Sequence, residues 1–255
     1  MRLQTFLLTE GRTKKISKED AAELLLTKHK DSVSGSLIYR GISGFQSSYG
    51  YINPLQGKPR RSQGTAPNFY TLIMSHSPQW SSWPSREFSL ICSTVYSGAE
   101  HYGDVYNVFP ENGATLAIAP DADIWLSFRR KRYGHLKILN DAIQILLRDL
   151  GGSGDADLDI QYFKKACKNF DVRFKNNKDS LIKAITKYRT WFEYGAIGYI
   201  TDNYEGDLFK LLNNMISPKN DNFTKVKVGS SLPHDREVWT DAKCLVIYHS
   251  DYPLQ

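Results

Sequence analysis

Between Leu136 and Ile216 the apolar residues of this 255-residue chain recur at helical spacing, whereas on both sides they come in short runs cut by Gly, Pro and Asn. That change of texture restricts the fold more than any other feature, because a period of 3.6 and a period of 2 cannot serve the same element. Leu136, Ile138, Leu139, Ala142, Ile143, Leu146 and Leu147 follow helical spacing, and Leu150-Gly151-Gly152 has the form of a helix C-terminus. Further helical patterns cover Leu158 to Phe170, Leu181 to Tyr194 with Asp179 or Ser180 as N-cap, and Gly206 to Ile216. The pattern predicts an α+β protein, with residues 136–216 as a helical block inserted between segments 1–135 and 217–255 that together form one β-rich core.

The flanks read as strands and turns. Met1 to Thr9, Leu37 to Arg40, Phe88 to Ser93, Val105 to Phe109, Ala114 to Ile118, Ile124 to Phe128 and Lys225 to Val228 are short apolar or β-branched runs. Arg236 to Tyr248 holds a final strand or hairpin broken near Asp241. Ser17-Lys18-Glu19-Asp20 has the capping-box form ahead of Ala21, Ala22, Leu24, Leu25 and Leu26, which predicts a helix to about Lys28. Lys30 to Ser36 is expected as a connection, Gly41 to Pro67 as a long loop, Asn68 to Ser75 as a helical turn or strand, and Tyr96 to Tyr102 as a short helix closed by Gly103.

A formal charge of +6 favours polyanionic partners, and its placement in Arg129-Arg130-Lys131-Arg132 and in the lysines from Lys164 to Lys187 suggests either a solvated helical surface or a nucleic-acid contact. The three cysteines, Cys92, Cys167 and Cys244, have no CxxC spacing, so neither a zinc site nor a disulfide framework is expected. No run has the length of a membrane span, and Leu3 to Leu8 is too short for a secretory signal. A cytoplasmic protein is expected, with no metal and no membrane partner.

Three segments place chemistry-bearing side chains on strand-like runs: Tyr39-Arg40-Gly41, Cys92-Ser93-Thr94 and Asp235-Arg236-Glu237. In order and residue type they resemble the arginine-serine-glutamate branch of the ADP-ribosyltransferase superfamily, both its toxin-like and its phage-type mono-ADP-ribosyltransferases. In that family one strand carries Arg, a second ends in Ser-Thr-Ser or a variant, and a later strand carries the Glu. The resemblance covers residues 36–128 and 225–250. It implies a mixed β-sheet core of ADP-ribosyltransferase type, with the helical block as an insertion that leaves the sheet intact. Two positions depart from the family pattern: Val95 stands where Ser is usual, and Asp235 where Glu or Gln is usual.

The resemblance further implies that NAD is the substrate and that ADP-ribose passes to a macromolecular acceptor, protein slightly before nucleic acid, with release of nicotinamide. Breaking the nicotinamide–ribose bond develops an oxocarbenium-like cation, which a carboxylate beside the ribose stabilises. Glu237 would take that role, and Asp235 would help choose or activate the acceptor. Arg40 offers a planar fork of donors to the pyrophosphate or a ribose. Ser93 and Thr94 would orient Glu237 and the nicotinamide ribose, with Tyr39 beside them and Tyr102, Tyr96 or Tyr106 set against the nicotinamide ring.

Each residue also has a structural alternative. Arg40 can pair with a surface carboxylate, Ser93 and Thr94 can cap the helix near Tyr96, Glu237 can be an ordinary strand residue, and Asp235 a turn residue. Arg86, near Trp80 and Trp83, can reach phosphate. A toxin of a bacterial defence system, matched by an antitoxin or inhibitor protein, and a phage-encoded modifier of host proteins both suit such a chain. The competing classes are a non-enzymatic nucleic-acid-binding protein that uses the basic helical block, and a cysteine enzyme with Cys92 as nucleophile and His101 or His234 as base.

Overall fold

The computed structural model of the chain describes residues 12–59, 69–127, 136–156, 159–186 and 195–253. The expected first strand, Met1 to Thr9, and the run Arg129 to Arg132 lie outside these residues. The described strands are β1 (Arg12–Lys15), β2 (Ile38–Ile42), β3 (Tyr49–Asn53), β4 (Leu90–Ser93), β5 (Asp104–Pro110), β6 (Thr115–Ile118), β7 (Thr224–Lys227), β8 (Glu237–Thr240) and β9 (Cys244–Tyr248). They form one sheet in the order β1-β3-β9-β5-β2-β4-β8-β6-β7. Every described pairing is antiparallel, so the expectation of a mixed sheet is corrected.

By contact, residues 1–60, 82–123 and 222–255 make one compact unit, and 61–81 with 124–221 make a second. The first holds all the described strands. Its α1 (Lys18–Thr27) begins as the sequence indicates, with the Ser17 hydroxyl accepting from the Asp20 N–H at 3.0 Å. Ala21 and Leu25 of α1 bury against Phe109, Leu245 and Ile247 on one face of the sheet. Ile38, Leu90, Cys92, Val108, Val238 and Val246 lie in a second apolar cluster. Strand β9 contributes to both clusters, which is why Cys244 to Ile247 is continuously apolar rather than alternating. The two edge strands, Arg-Thr-Lys-Lys and Thr-Lys-Val-Lys, are largely exposed and rich in lysine, a charge pattern that discourages pairing with another chain. Part of the net positive charge therefore protects sheet edges.

Four expectations need correcting. Lys30 to Ser36 is not a plain connection, since α2 (Lys30–Ser34) occupies it. The expected loop Gly41 to Pro67 contains β3, whose Tyr-Gly-Tyr-Ile-Asn becomes a strand because β1 and β9 flank it on both sides. Ile124 to Ser127 is a turn rather than a strand, with the Ser127 N–H donating to the Ile124 carbonyl at 3.1 Å. Strands β8 and β9 do not form a hairpin, because β8 pairs with β4 and β6 while β9 pairs with β3 and β5.

The second unit is helical: α3 (Phe69–His76), then, after α4 (Tyr96–Glu100) of the first unit, α5 (Leu136–Gln144), α6 (Ile160–Phe174), α7 (Lys178–Thr186), α8 (Ala196–Asn203) and α9 (Leu208–Met215). Residues Ile145–Leu150 continue α5 as a π-helical segment that ends at Gly151 and Gly152. Asp159 and Asp207 cap α6 and α9, and Asn177, not Asp179 or Ser180, caps the start of α7 by accepting from the Ser180 N–H. The unit extends beyond residues 136–216 because Phe69 packs on Phe163, Tyr70 on Trp125, and the Trp80 indole N–H donates to the Ile216 carbonyl at 2.8 Å.

Candidate active site

Strands β2, β4 and β8 are consecutive in the sheet, although they come from three distant parts of the chain. Ser93 is paired directly with Tyr39 on one side and with Glu237 on the other. Directly opposed residues of antiparallel strands project from the same face, so Tyr39, Ser93 and Glu237 form one row across three strands. The β4 and β8 ends are fastened beyond that row: the Thr94 N–H donates to the Arg236 carbonyl at 2.9 Å, and the Thr94 hydroxyl accepts from the Arg236 N–H at 2.8 Å.

Beyond Ser93 the chain turns into α4 (Tyr96–Glu100). The Ser93 hydroxyl accepts from the Val95 N–H at 3.1 Å, but Val95 is itself the N-cap of α4 and no side chain caps that helix, so neither Ser93 nor Thr94 takes the expected capping role, and Thr94 serves the neighbouring strand. Gly98 lies directly against Ser93, where an added Cβ would stand 2.4 Å from the hydroxyl oxygen. Tyr39 meets the Tyr96 ring at 6.1 Å and the His249 ring at 5.7 Å, and Tyr96 meets His249 at 4.8 Å. His249 in turn shares a 3.1 Å hydrogen bond between its Nδ1 and the Oδ1 of buried Asn107. A Tyr39–Tyr96–His249 cluster therefore borders the row.

Arg40, one residue beyond Tyr39, leaves the strand on the opposite face by alternation. It is buried, and its guanidinium carbon lies 5.5 Å from the centre of the half-exposed Tyr102 ring. Tyr106, a candidate ring for the ligand, is instead a core residue: its hydroxyl donates toward the Phe45 and Ser47 carbonyls, and burial pushes its pKa up to about 12. Asp235 is exposed and takes a left-handed backbone, φ 55°, a conformation that Asp tolerates better than most side chains. It sits in the turn that leads into Glu237, as its turn reading requires.

The largest departure concerns Arg86. Its guanidinium meets two partners that its place in the sequence did not indicate. It lies over the Trp239 ring at 4.9 Å, with Nη1 only 2.7 Å from Glu237 Oε1. The N–H bond is not aimed along that line, so the contact is ionic in character rather than a linear hydrogen bond. Arg86 and Glu237 side chains are 5% and 12% exposed, which makes this a nearly buried ion pair. Its one visible sign in the sequence is an arginine just ahead of the motif strand; the partner is a fold apart.

Cys92 lies in the apolar cluster with Leu90 and Val238, and Cys167 and Cys244 are also buried, with thiols that burial pushes far up. That surrounding opposes the thiolate a cysteine nucleophile needs. Among the described residues no group of three or more His, Cys, Asp or Glu is placed to hold a metal ion, and no helix is long and apolar enough to cross a membrane. In the helical unit, Lys164, Lys168 and Lys175 line a groove of about 540 Å3 with Asp171 and Phe209. Asp171 holds the start of α9 there, accepting from the Tyr204 hydroxyl at 2.8 Å and the Leu208 N–H at 2.9 Å.

No family model, curated protein or solved structure matches this chain.

Proposed function

We propose that the protein is an NAD-dependent mono-ADP-ribosyltransferase whose catalytic carboxylate is Glu237. The observation that carries this reading is the row Tyr39–Ser93–Glu237, built from three adjacent strands in the motif order read from the sequence. In the reaction the bond between ribose C1′ and nicotinamide breaks, and its electron pair leaves with nicotinamide. Glu237 faces the resulting cation and takes the ribose 2′-hydroxyl hydrogen bond, and an acceptor lone pair then closes on C1′ with loss of a proton. Ser93 and Thr94 fix the strand ends around the carboxylate and Asp235 meets the acceptor, whereas Arg40, which leaves β2 on the opposite face beside Tyr102, has no part in this reading. NAD labelled in its adenylate half, offered with a cell lysate, tests the transfer. Label is expected on a macromolecule; protease-sensitive label indicates a protein acceptor, nuclease-sensitive label a nucleic acid, and no macromolecular label contradicts the proposal.

One observation favours a second reading. Lys164 and Lys168 of α6, with Lys175 at its C-terminal cap, line one groove at helical spacing, as a nucleic-acid-binding surface without catalysis would require. That reading predicts steeply salt-dependent nucleic-acid binding and no nicotinamide release.

A further inference from the structure

We infer that Arg86 is a positioning residue for the Glu237 carboxylate, a role that rests on the reading of Glu237 as the catalytic group. A buried ion pair is a poor device for stability, because desolvating both ions offsets most of their attraction and an apolar pair of similar size does as well. This pair is nonetheless built with care. The turn Arg86–Phe88 follows Ser85, whose N–H donates to Asp241 Oδ2 at 2.9 Å and whose carbonyl accepts from the Ser89 hydroxyl. Trp239, the ring beneath the guanidinium, is itself tied to this turn through its indole N–H, which donates to the Pro84 carbonyl at 3.1 Å. Backbone, ring and ion contact thus fix Arg86 from three sides.

Trp239 and Glu237 are alternate residues of β8, so both project from the same face as the row with Ser93. Arg86 bridges them. Its contact at Oε1 removes rotamer freedom from Glu237. Catalytic groups need to be held to within about 0.5 Å, and a free Glu side chain is not. Lysine at position 86 keeps the charge but loses the plane that stacks on the ring.

The test is steady-state nicotinamide release from NAD by the full chain carrying Arg86→Lys or Arg86→Ala, with thermal unfolding as a check of the fold. Arg86→Lys is expected to lower kcat about tenfold or more while KM stays within about threefold. Arg86→Ala is expected to lose about 100-fold, with part of the rate restored by added guanidinium ion, which a merely structural arginine would not show. If Arg86→Ala does not fold, Arg86→Lys decides. A folded Arg86→Lys with wild-type kcat, or a raised KM at unchanged kcat, overturns the positioning role alone. A wild-type protein that releases no nicotinamide overturns the reading of Glu237, and the positioning role with it.

Discussion

Ser93 and Glu237 stand directly opposite each other on strands β4 and β8, although 143 residues that include the 124–221 segment of the helical unit separate them in the chain. The pairing is set by the apolar neighbours, since Leu90, Cys92 and Val238 must reach the same core. A slip of one residue would turn the carboxylate away from the serine and bury it in that core. Position and charge of the site are thus consequences of how the sheet packs.

Two glycines near this row separate geometry from stability. At Gly98 a new Cβ meets the Ser93 hydroxyl, which can rotate away, whereas at Gly41 it would stand 2.1 Å from the Ala99 carbonyl, a backbone atom that cannot. Gly98→Ala is expected to fold normally yet lose turnover about tenfold, because Ser93 is displaced. Gly41→Ala is expected to lose about 3 kcal/mol of stability in urea unfolding. A Gly98→Ala protein with wild-type turnover would remove Ser93 from the mechanism.

His29 makes the core pH-sensitive. It is fully buried against Tyr51, and burial lowers its pKa below the ordinary 6.5; the Pro110 and Phe109 carbonyls oppose the shift, though off hydrogen-bond geometry. In the window between the lowered value and 6.5 the unfolded chain binds the extra proton and the folded chain does not, so stability falls as pH falls. The slope there stays below about 1.4 kcal/mol per pH unit, the limit for a single proton, and vanishes above that window. Urea titrations across that range should show the slope in the wild type and its loss in His29→Gln. An unchanged slope in the variant would assign the acid sensitivity elsewhere.

Asp235→Asn keeps a side chain suited to the left-handed backbone while removing the charge. Transfer to the acceptor is expected to fall about tenfold more than NAD hydrolysis in water, as measured by label on acceptor against free ADP-ribose. Equal losses in both would return Asp235 to a turn role.

The helical unit was legible because long amphipathic segments carry their own period and caps, as α5 and the Asp159-capped α6 show. The three motif strands were legible from residue type and order, and their adjacency followed. What escaped depends on partners remote in sequence. Tyr49 to Asn53 becomes a strand only between β1 and β9, and Ile124, though apolar, buries itself in a turn. Arg86 was visible as a charged residue beside tryptophans in sequence, whereas its contacts with Trp239 and Glu237 were not, since both lie on a strand remote in the chain. The mixed-sheet expectation came from the family resemblance, and the antiparallel pairing of every described strand replaced it.

The central claim is that Glu237 breaks the nicotinamide–ribose bond of NAD, and Glu237→Gln tests it most directly because the amide preserves shape and removes charge. NAD binding by calorimetry and nicotinamide release should be measured together on wild type and variant. The account predicts NAD binding by both proteins, within about threefold of each other, and turnover in the variant lowered about 100-fold or more. Nicotinamide release by Glu237→Gln at the wild-type rate, or no NAD binding by either protein, would contradict it.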